Sequence, residues 1–386
     1  MKLSNYPNQS HLLLPDNWKE LETYKLIEEM GWFTFIDRGL PTLDPIGKKV
    51  NSQLEDLVRQ ISENMGFMEV SFPRIYSDSI IEKSGKMEAF SDEIISLDGD
   101  MKGFSLAATT EEIFIEFLKK STLSHRQLPI KLFKVQDAFR NIKRSKGIVK
   151  SIQFSGADFM TLNRNHNCYR NSLDNFSQIF DEMVEQLDIE VLSDLSFDGQ
   201  KVEFFFEDEQ GEKIKRSSIV GNESKLKEGG KFSSLGMGYP VVPNEAQDIN
   251  YADENGGLAQ PIVGTFGIGM QKVFYASVYQ HRDELGINFP SPIRPFDFSI
   301  IPISDDESIM NYANFIYSRI KSGNSRTYLD DRKKMYKTKA AFSDFMGVPN
   351  KLIIGNDEVL NNNILVKTRA GRSSSMSLEE LIKNGR

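Results

Sequence analysis

Residues Leu128–Leu162 read LPIKLFKVQDAFRNIKRSKGIVKSIQFSGADFMTL. Two apolar-rich runs, Lys131 to Val135 and Lys150 to Phe154, flank a turn that carries Lys143, Arg144, Lys146 and Lys150. That layout predicts two strands joined by a basic turn. The first run leads into Phe139-Arg140-Asn141, with no carboxylate directly after it. A guanidinium at a strand end can fork across a carboxylate or a phosphate in two parallel hydrogen bonds, or simply sit on the surface. Phe154 can serve as a platform for a flat ring or as one of the chain's 27 phenylalanines in a core.

On either side of this segment the hydrophobic period changes. Ile46 to Met65 carries Ile46, Val50, Leu54, Leu57, Val58 and Ile61 on one helical face. Phe67 to Pro73 alternates like a strand and stops at proline. Glu111 to Lys120 reads as a helix capped by Thr109 or Thr110, and Asn171 to Leu187 as a long amphipathic helix. Ser193 to Gly257 is rich in Gly, Ser, Glu, Asp and Lys, with short strands, and reads as an insertion of about 60 residues. Gln260 to Gly269 then predicts a strand that turns into a helix running from Met270 to His281. Asn288 to Pro295 holds three prolines in eight residues and reads as a linker. Beyond it strands and helices alternate, which predicts a small α/β module with a mostly parallel or mixed sheet behind an antiparallel α+β body.

Composition sets the outer limits. The chain has 386 residues, 39% hydrophobic and 26% charged, with a formal net charge of −8. This balance is that of a globular protein and argues against one that grips nucleic acid over its whole surface. Two basic clusters stand out locally: the turn already named, and Arg332, Lys333, Lys334, Lys337 and Lys339. Each can be a solvated loop or a contact for phosphates. Cys168 is the single cysteine and there are four scattered histidines, so no metal-ligating set is expected. No apolar run of about 18 residues predicts a membrane span, the N-terminus does not read as a signal peptide, and the cytoplasm is the expected compartment.

Two short stretches can carry chemistry. In Ala107-Ala108-Thr109-Thr110-Glu111-Glu112, hydroxyls and a carboxylate at a strand end can receive an ammonium group, or form an ordinary helix start. In Gly267-Ile268-Gly269-Met270-Gln271-Lys272, two glycines allow a close approach to backbone, and Lys272 in the first helical turn can reach a phosphate chain. No Walker sequence follows.

Taken in order, these stretches resemble class II aminoacyl-tRNA synthetases, and among them prolyl-tRNA synthetase of the bacterial type. MKLSNYPNQSHLLLPD, Gly31-Trp32-Phe33, Gly39-Leu40 and Asp44-Pro45-Ile46-Gly47 resemble that family's N-terminal run. Ile46 to Pro73 is similar to its first motif, and Glu82-Lys83-Ser84-Gly85 to the E-x-S-G that follows. Thr109-Thr110-Glu111 stands where the family has Thr-His-Glu, and His125 to Pro129 resembles the lead-in to the second motif. Phe139-Arg140-Asn141 with Phe154 is similar to the second motif, and Gly264 to Lys272 to the third. Asp330-Asp331-Arg332 and Gly347-Val348-Pro349 resemble the anticodon-binding domain.

The resemblance implies an α+β fold. A class II antiparallel sheet flanked by helices would fill residues 1–290, with 193–257 as a short insertion, and an anticodon-binding-like α/β domain would fill 296–386. It implies a ligase that activates a proline-like amino acid with ATP and Mg²⁺ and passes it to tRNA. It also implies a cytoplasmic homodimer, paired through the first motif and serving protein biosynthesis. Arg140 would be the catalytic residue. Phe154, Lys150, Lys272, Gly267 and Gly269 would join it around ATP, and Thr109, Glu111, Lys231, Gly264 and Thr265 would line the amino-acid site. Two other readings of the same fold remain open from the sequence. One is a paralogue that hands the amino acid to a carrier protein or small molecule, and the other is a non-catalytic binding or regulatory protein.

The departures from the family are specific. The glutamate that follows the Phe-Arg pair and contacts adenine is missing, the later arginine of that turn is Lys150, and G-R-E-F reads Ser151-Ile152-Gln153-Phe154. The third motif's arginine is Lys272, a histidine near the amino-acid pocket is Lys231, and 193–257 is too short for the editing domain of many bacterial members. At about 1–2 kcal/mol each, such changes predict a loss of about two to five orders of magnitude in efficiency relative to an unaltered family member.

Overall fold

The structure is a computed structural model that describes all residues except 85, 86, 88–91, 197, 198, 214–230, 242–247, 324, 385 and 386. The chain divides into two compact units, one of Phe35–Thr42 and Leu54–Ala276, the other of Met1–Thr34, Leu43–Gln53 and Ser277–Arg386.

The first unit is built on a sheet that, among the described residues, has seven strands: β1 (Met68–Glu69), β2 (Ile130–Phe139), β3 (Gln153–Asn163), β4 (Leu192–Ser196), β5 (Lys201–Lys213), β6 (Lys231–Val241) and β7 (Ile262–Gly269). Their spatial order is β1-β2-β3-β7-β6-β5-β4. Strand β1 runs parallel to β2, and every other pair is antiparallel. The hairpin of β2 and β3 takes the second and third places in this sheet. The first strand is longer than the pattern indicated, and the second begins at Gln153 and not at Lys150 because the turn extends through Ile152; Lys134 lies opposite Asp158 and Ala138 opposite Phe154.

Two expectations are corrected here. The strand expected over Phe67 to Pro73 shrinks to Met68–Glu69. The segment read as an insertion, Ser193 to Gly257, supplies most of β4 and all of β5 and β6, which are structural members of the central sheet. Its polar composition misled the reading because one sheet face here is an open cleft, where polar side chains stay solvated. Gly230 and much of this segment fall outside the described residues.

The longer helices with residues in this unit are α1 (Pro45–Asn64), α2 (Glu111–Leu118), α3 (His166–Gln186) and α4 (Met270–Gln280). In α1 all six apolar positions of the predicted stripe are buried. Helix α3 starts earlier than its apolar pattern because the Asn165 side chain accepts a hydrogen bond from the Cys168 N–H and caps it. Its face carries Phe176, which packs on Phe159 of β3 and Phe266 of β7, and Ser172, which donates to Asn163 at 2.7 Å. Odd-numbered residues of β3 therefore face α3. Even-numbered ones face the other way, where Met160 and Leu162 pack with Phe114 and Leu118 of α2. Helix α2 covers only one end of that second face, and the remainder forms the floor of the site.

Close approach demands glycine at two positions on the α3 face. A Cβ on Gly238 would stand 2.3 Å from Cδ1 of Phe266, and one on Gly264 would stand 2.3 Å from Oγ1 of Thr161 and 2.9 Å from the Phe266 ring. Gly264 thus serves packing on the side away from the cleft.

The second unit contains a five-stranded sheet of β8 (Phe298–Pro302), β9 (Thr327–Leu329), β10 (Asn350–Ile354), β11 (Ile364–Thr368) and β12 (Ser373–Met376), in the order β9-β8-β10-β11-β12. The first three in that order are parallel, and the last two join antiparallel. Helices α5 (Glu307–Ser322) and α6 (Tyr336–Phe345) belong to the same unit. Ile309, Ala313, Ile316 and Ile320 of α5 pack on Ile300 and Leu352, the helical stripe meeting the sheet as the alternation implied. The basic cluster near residue 332 is not one surface. Arg332 is 5% exposed and forks across the fully buried Asp330 at 2.8 and 2.6 Å while donating to the Leu12 carbonyl at 2.7 Å. Lys339 is buried on the Pro302 carbonyl. Lys333, Lys334 and Lys337 are the exposed members.

Candidate functional site

Strand alternation places the site residues. Arg140 follows β2, and Phe154, Gly156 and Asp158 of β3 share the cleft face with Thr265, Gly267 and Gly269 of β7. The turn between β2 and β3 is held by backbone bonds from Arg140 N–H to the Ile152 carbonyl and from Asn141 N–H to the Glu93 carbonyl, each 2.8 Å.

A cavity of about 520 Å³ opens on this face, lined by Arg140, Lys150, Phe154, Gly269 and Lys272 among others. The Arg140 guanidinium lies over the Phe154 ring at 5.4 Å from its centroid. It also donates to the Ala108 carbonyl at 3.3 Å and stands 3.8 Å from a Glu93 carboxylate oxygen. Lys272 donates to the Ser234 carbonyl at 2.9 Å. Burial holds its ammonium below the usual lysine range; Glu203 and Asp208 counter that, while Arg140 and Lys150 add to it. Lys150 is exposed at the mouth of the cavity. The wall therefore combines an aromatic plate with several cationic side chains, a combination suited to a base and a phosphate chain.

On the other side of Arg140 the character changes to acidic. Helix α2 starts at Thr110, but the Thr110 hydroxyl does not cap it; that hydroxyl donates to Asp158 Oδ2 at 2.7 Å. Thr109 Oγ1 donates to Glu112 Oε2 at 2.5 Å, and the Tyr76 hydroxyl to the Thr109 carbonyl at 2.5 Å. Tyr239 donates to Glu111 Oε1 at 2.9 Å. Burial, and then the Glu111 carboxylate, push the Tyr239 hydroxyl far above its ordinary range, so it remains a donor. Lys134 stands 3.1 Å from Asp158 Oδ2, cross-strand from it in the hairpin. Glu111 and Glu112 at the helix start also complement its dipole. The carboxylates of Glu111, Glu112 and Asp158, each held by a neighbouring hydroxyl, give this end an acidic character that can receive a cation.

The structure thus brings together Arg140, Phe154, Lys150, Lys272 and Gly269 around one cavity, with Gly267 and Thr265 on the same sheet face and Thr109 and Glu111 at the acidic end. It does not bring two of the expected residues there. Gly264 faces α3, and Lys231 is exposed at the end of β6, paired with Lys213, and does not line the cavity. Sequence reasoning missed Asp158, Lys134, Tyr239 and Tyr76. Asp158 was findable as the second even position after Phe154, and Lys134 as its partner once the hairpin register was drawn. Tyr239 had no local signal.

The chain is 23% identical over 426 residues to the proline–tRNA ligase of Bartonella tribocorum, covering 96% of this chain and 97% of that one. It is 22% identical over 438 residues to the proline–tRNA ligase of Rhizobium etli, covering 99% of both. The Giardia lamblia prolyl-tRNA synthetase in complex with prolyl-adenylate superposes with a TM-score of 0.76 at 17% identity, over 95% of this chain and 76% of that one. The chain is similar to proline–tRNA ligases along nearly its whole length and has the class II synthetase fold. The prolyl-tRNA synthetase of Cryptosporidium parvum complexed with halofuginone and AMPPNP matches with a TM-score of 0.75 at 16% identity, over 97% of this chain and 79% of that one. Residues 297–384 match the family described as "Anticodon binding domain". The chain resembles proline–tRNA ligases. Among the described residues, no helix is long and apolar enough to cross a membrane.

Proposed function

We propose that this chain activates a proline-like amino acid with ATP and transfers it to tRNA. The observation that carries the reading is the position of Arg140, which lines both the 520 Å³ cavity with Phe154 and Lys272 and a small adjoining pocket with Thr109 and Tyr76. A guanidinium at that junction can hold an α-phosphate and an amino-acid carboxylate at once.

In this reading adenine lies against Phe154, with Arg140 swung from the ring to the phosphate. Lys272 and Lys150 meet the distal phosphates. The ammonium of the amino acid goes to the acidic end, at Thr109, Glu111 and the neighbouring carboxylates, with Thr265 and Gly267 forming the floor. A carboxylate oxygen attacks the α-phosphorus, the bond from that phosphorus to the β-bridging oxygen breaks, and pyrophosphate leaves. Arg140 stabilises charge that grows in this transition state, and no side chain need act as nucleophile. Glu93 and Glu203 on the cavity wall would hold a magnesium ion carried by the triphosphate, which would supply charge neutralisation for the departing pyrophosphate. A ribose hydroxyl of tRNA then attacks the acyl carbonyl and AMP leaves. Residues 1–290 would carry the reaction and 296–386 would contact the anticodon. Pairing of two chains through Ile46–Pro73 in the cytoplasm completes the proposal.

The test is amino-acid-dependent exchange of pyrophosphate into ATP, run with each of the twenty amino acids, followed by tRNA charging. Exchange that peaks with proline, and charging with the same amino acid, are expected. Absence of exchange with every amino acid overturns the reading.

A further inference from the structure

The same cavity contains a buried side-chain amide that the reaction above does not use. Gln271, in the first turn of α4, is 5% exposed and lines the cavity with Ser151, itself 4% exposed. Ser151 is its one side-chain hydrogen-bond partner among the described residues. The Ser151 Oγ lies 2.8 Å from the Gln153 carbonyl oxygen and 3.0 Å from the Gln271 amide oxygen. A serine hydroxyl has one hydrogen, so it can donate to only one of these acceptors. The Gln153 carbonyl is the nearer and cannot rotate. The Gln271 amide can turn by 180° about its last bond, which presents its NH₂ to the serine oxygen and directs its carbonyl oxygen elsewhere. Both residues line the cavity, so the freed acceptor has the cavity to face, where a donor on a bound ligand can meet it.

We infer that Gln271, anchored by Ser151, is the nucleobase-reading residue of this site and accepts a hydrogen bond from the exocyclic amine of adenine. It would supply from α4 the acceptor that is missing after Phe139-Arg140-Asn141. A six-oxo purine brings an oxygen to the same place, where it meets the amide oxygen and is disfavoured. The inference rests on the ATP reading of the cavity and specifies which base it takes.

The experiment compares ATP with ITP, which differ at purine position 6, by equilibrium dialysis against the full chain. The wild type is expected to bind ATP at least tenfold tighter than ITP, the worth of about one buried hydrogen bond. Gln271→Met, of similar length but without polar atoms, should bring the two affinities to within about twofold. Gln271→Glu, which keeps an acceptor, should retain the preference for ATP. Ser151→Ala removes the anchor and should lower the preference at least about threefold, which covers the case in which Gln271→Met does not fold. An unchanged ATP-to-ITP ratio in a folded Gln271→Met, or in Ser151→Ala if the former is unfolded, overturns the inference. Equal binding of ATP and ITP by the wild type overturns it too while leaving the ATP reading in place. Failure of the wild type to bind ATP overturns both.

Discussion

Replacing Arg140 with alanine should separate catalysis from folding. The side chain is 40% exposed and its ion-pair partner Glu93 is 45% exposed at 3.8 Å, so that pair is worth at most about 1 kcal/mol. The stack on Phe154 adds about 0.5–1 kcal/mol, and the bond to the Ala108 carbonyl is long at 3.3 Å. The melting temperature should therefore fall by a few degrees at most, about 2–4 °C per kcal/mol for a domain of this size. The reaction should suffer far more. Loss of one donor aimed at transition-state charge costs about 10²–10³ in rate, and a guanidinium that forks across two oxygens supplies two such donors, so exchange should fall about 10⁴-fold, to background. Arg140→Lys keeps the charge without the fork and should retain a measurable fraction. The assay is pyrophosphate exchange at saturating ATP and amino acid, with melting followed on the same preparations. A folded Arg140→Ala that exchanges at the wild-type rate would refute the assignment of this residue and the mechanism built on it.

Three further perturbations test the surrounding structure. Lys272 binds its proton less well folded than unfolded, so the burial cost is full at pH 7 and fades as the pH rises toward the ordinary value of 10.5. Wild type should thus gain stability relative to Lys272→Met across that window, read as a rising melting-temperature difference; a difference that does not move with pH contradicts the direction of the shift. Asp330→Ala leaves Arg332 buried without its carboxylate and should cost about 3–5 kcal/mol in urea unfolding, and a cost below about 1 kcal/mol would show that the pair is not buried as described. Gly238→Ala puts a methyl group 2.3 Å from the Phe266 ring. That ring is held between Phe176 and Tyr169, so about 1–3 kcal/mol of overpacking should appear as a lower melting temperature, and an unchanged one would mean that the ring can yield.

The features legible in the sequence are those whose signals are local. Arg140 and Phe154 stand out because a hairpin brings near neighbours in the chain together, and the turn between them is short enough to recognise. Helices α1 and α3 follow from apolar residues spaced along one face, which depends only on backbone period. The strand-to-helix turn at Gly269 and Met270 is likewise written in consecutive residues. Chain-distant pairing decided the rest. Short strands are legible between Ser193 and Gly257, but not that they extend the central sheet, because that depends on pairing of β6 with the chain-distant β7. Burial of Arg332 and Lys339 depends on Asp330, the Leu12 carbonyl and the Pro302 carbonyl meeting them inside the second unit, so charge alone misread them as surface. Tyr239 reaches Glu111 across 128 residues, and Gln271 reaches Ser151 across 120. By itself the sequence determined the hairpin and the main amphipathic helices, with Arg140 and Phe154 as candidates on either side of the turn. Only the tertiary structure decided which carboxylates, hydroxyls and amides stand around them, because those bonds form between strands and helices that share no local pattern.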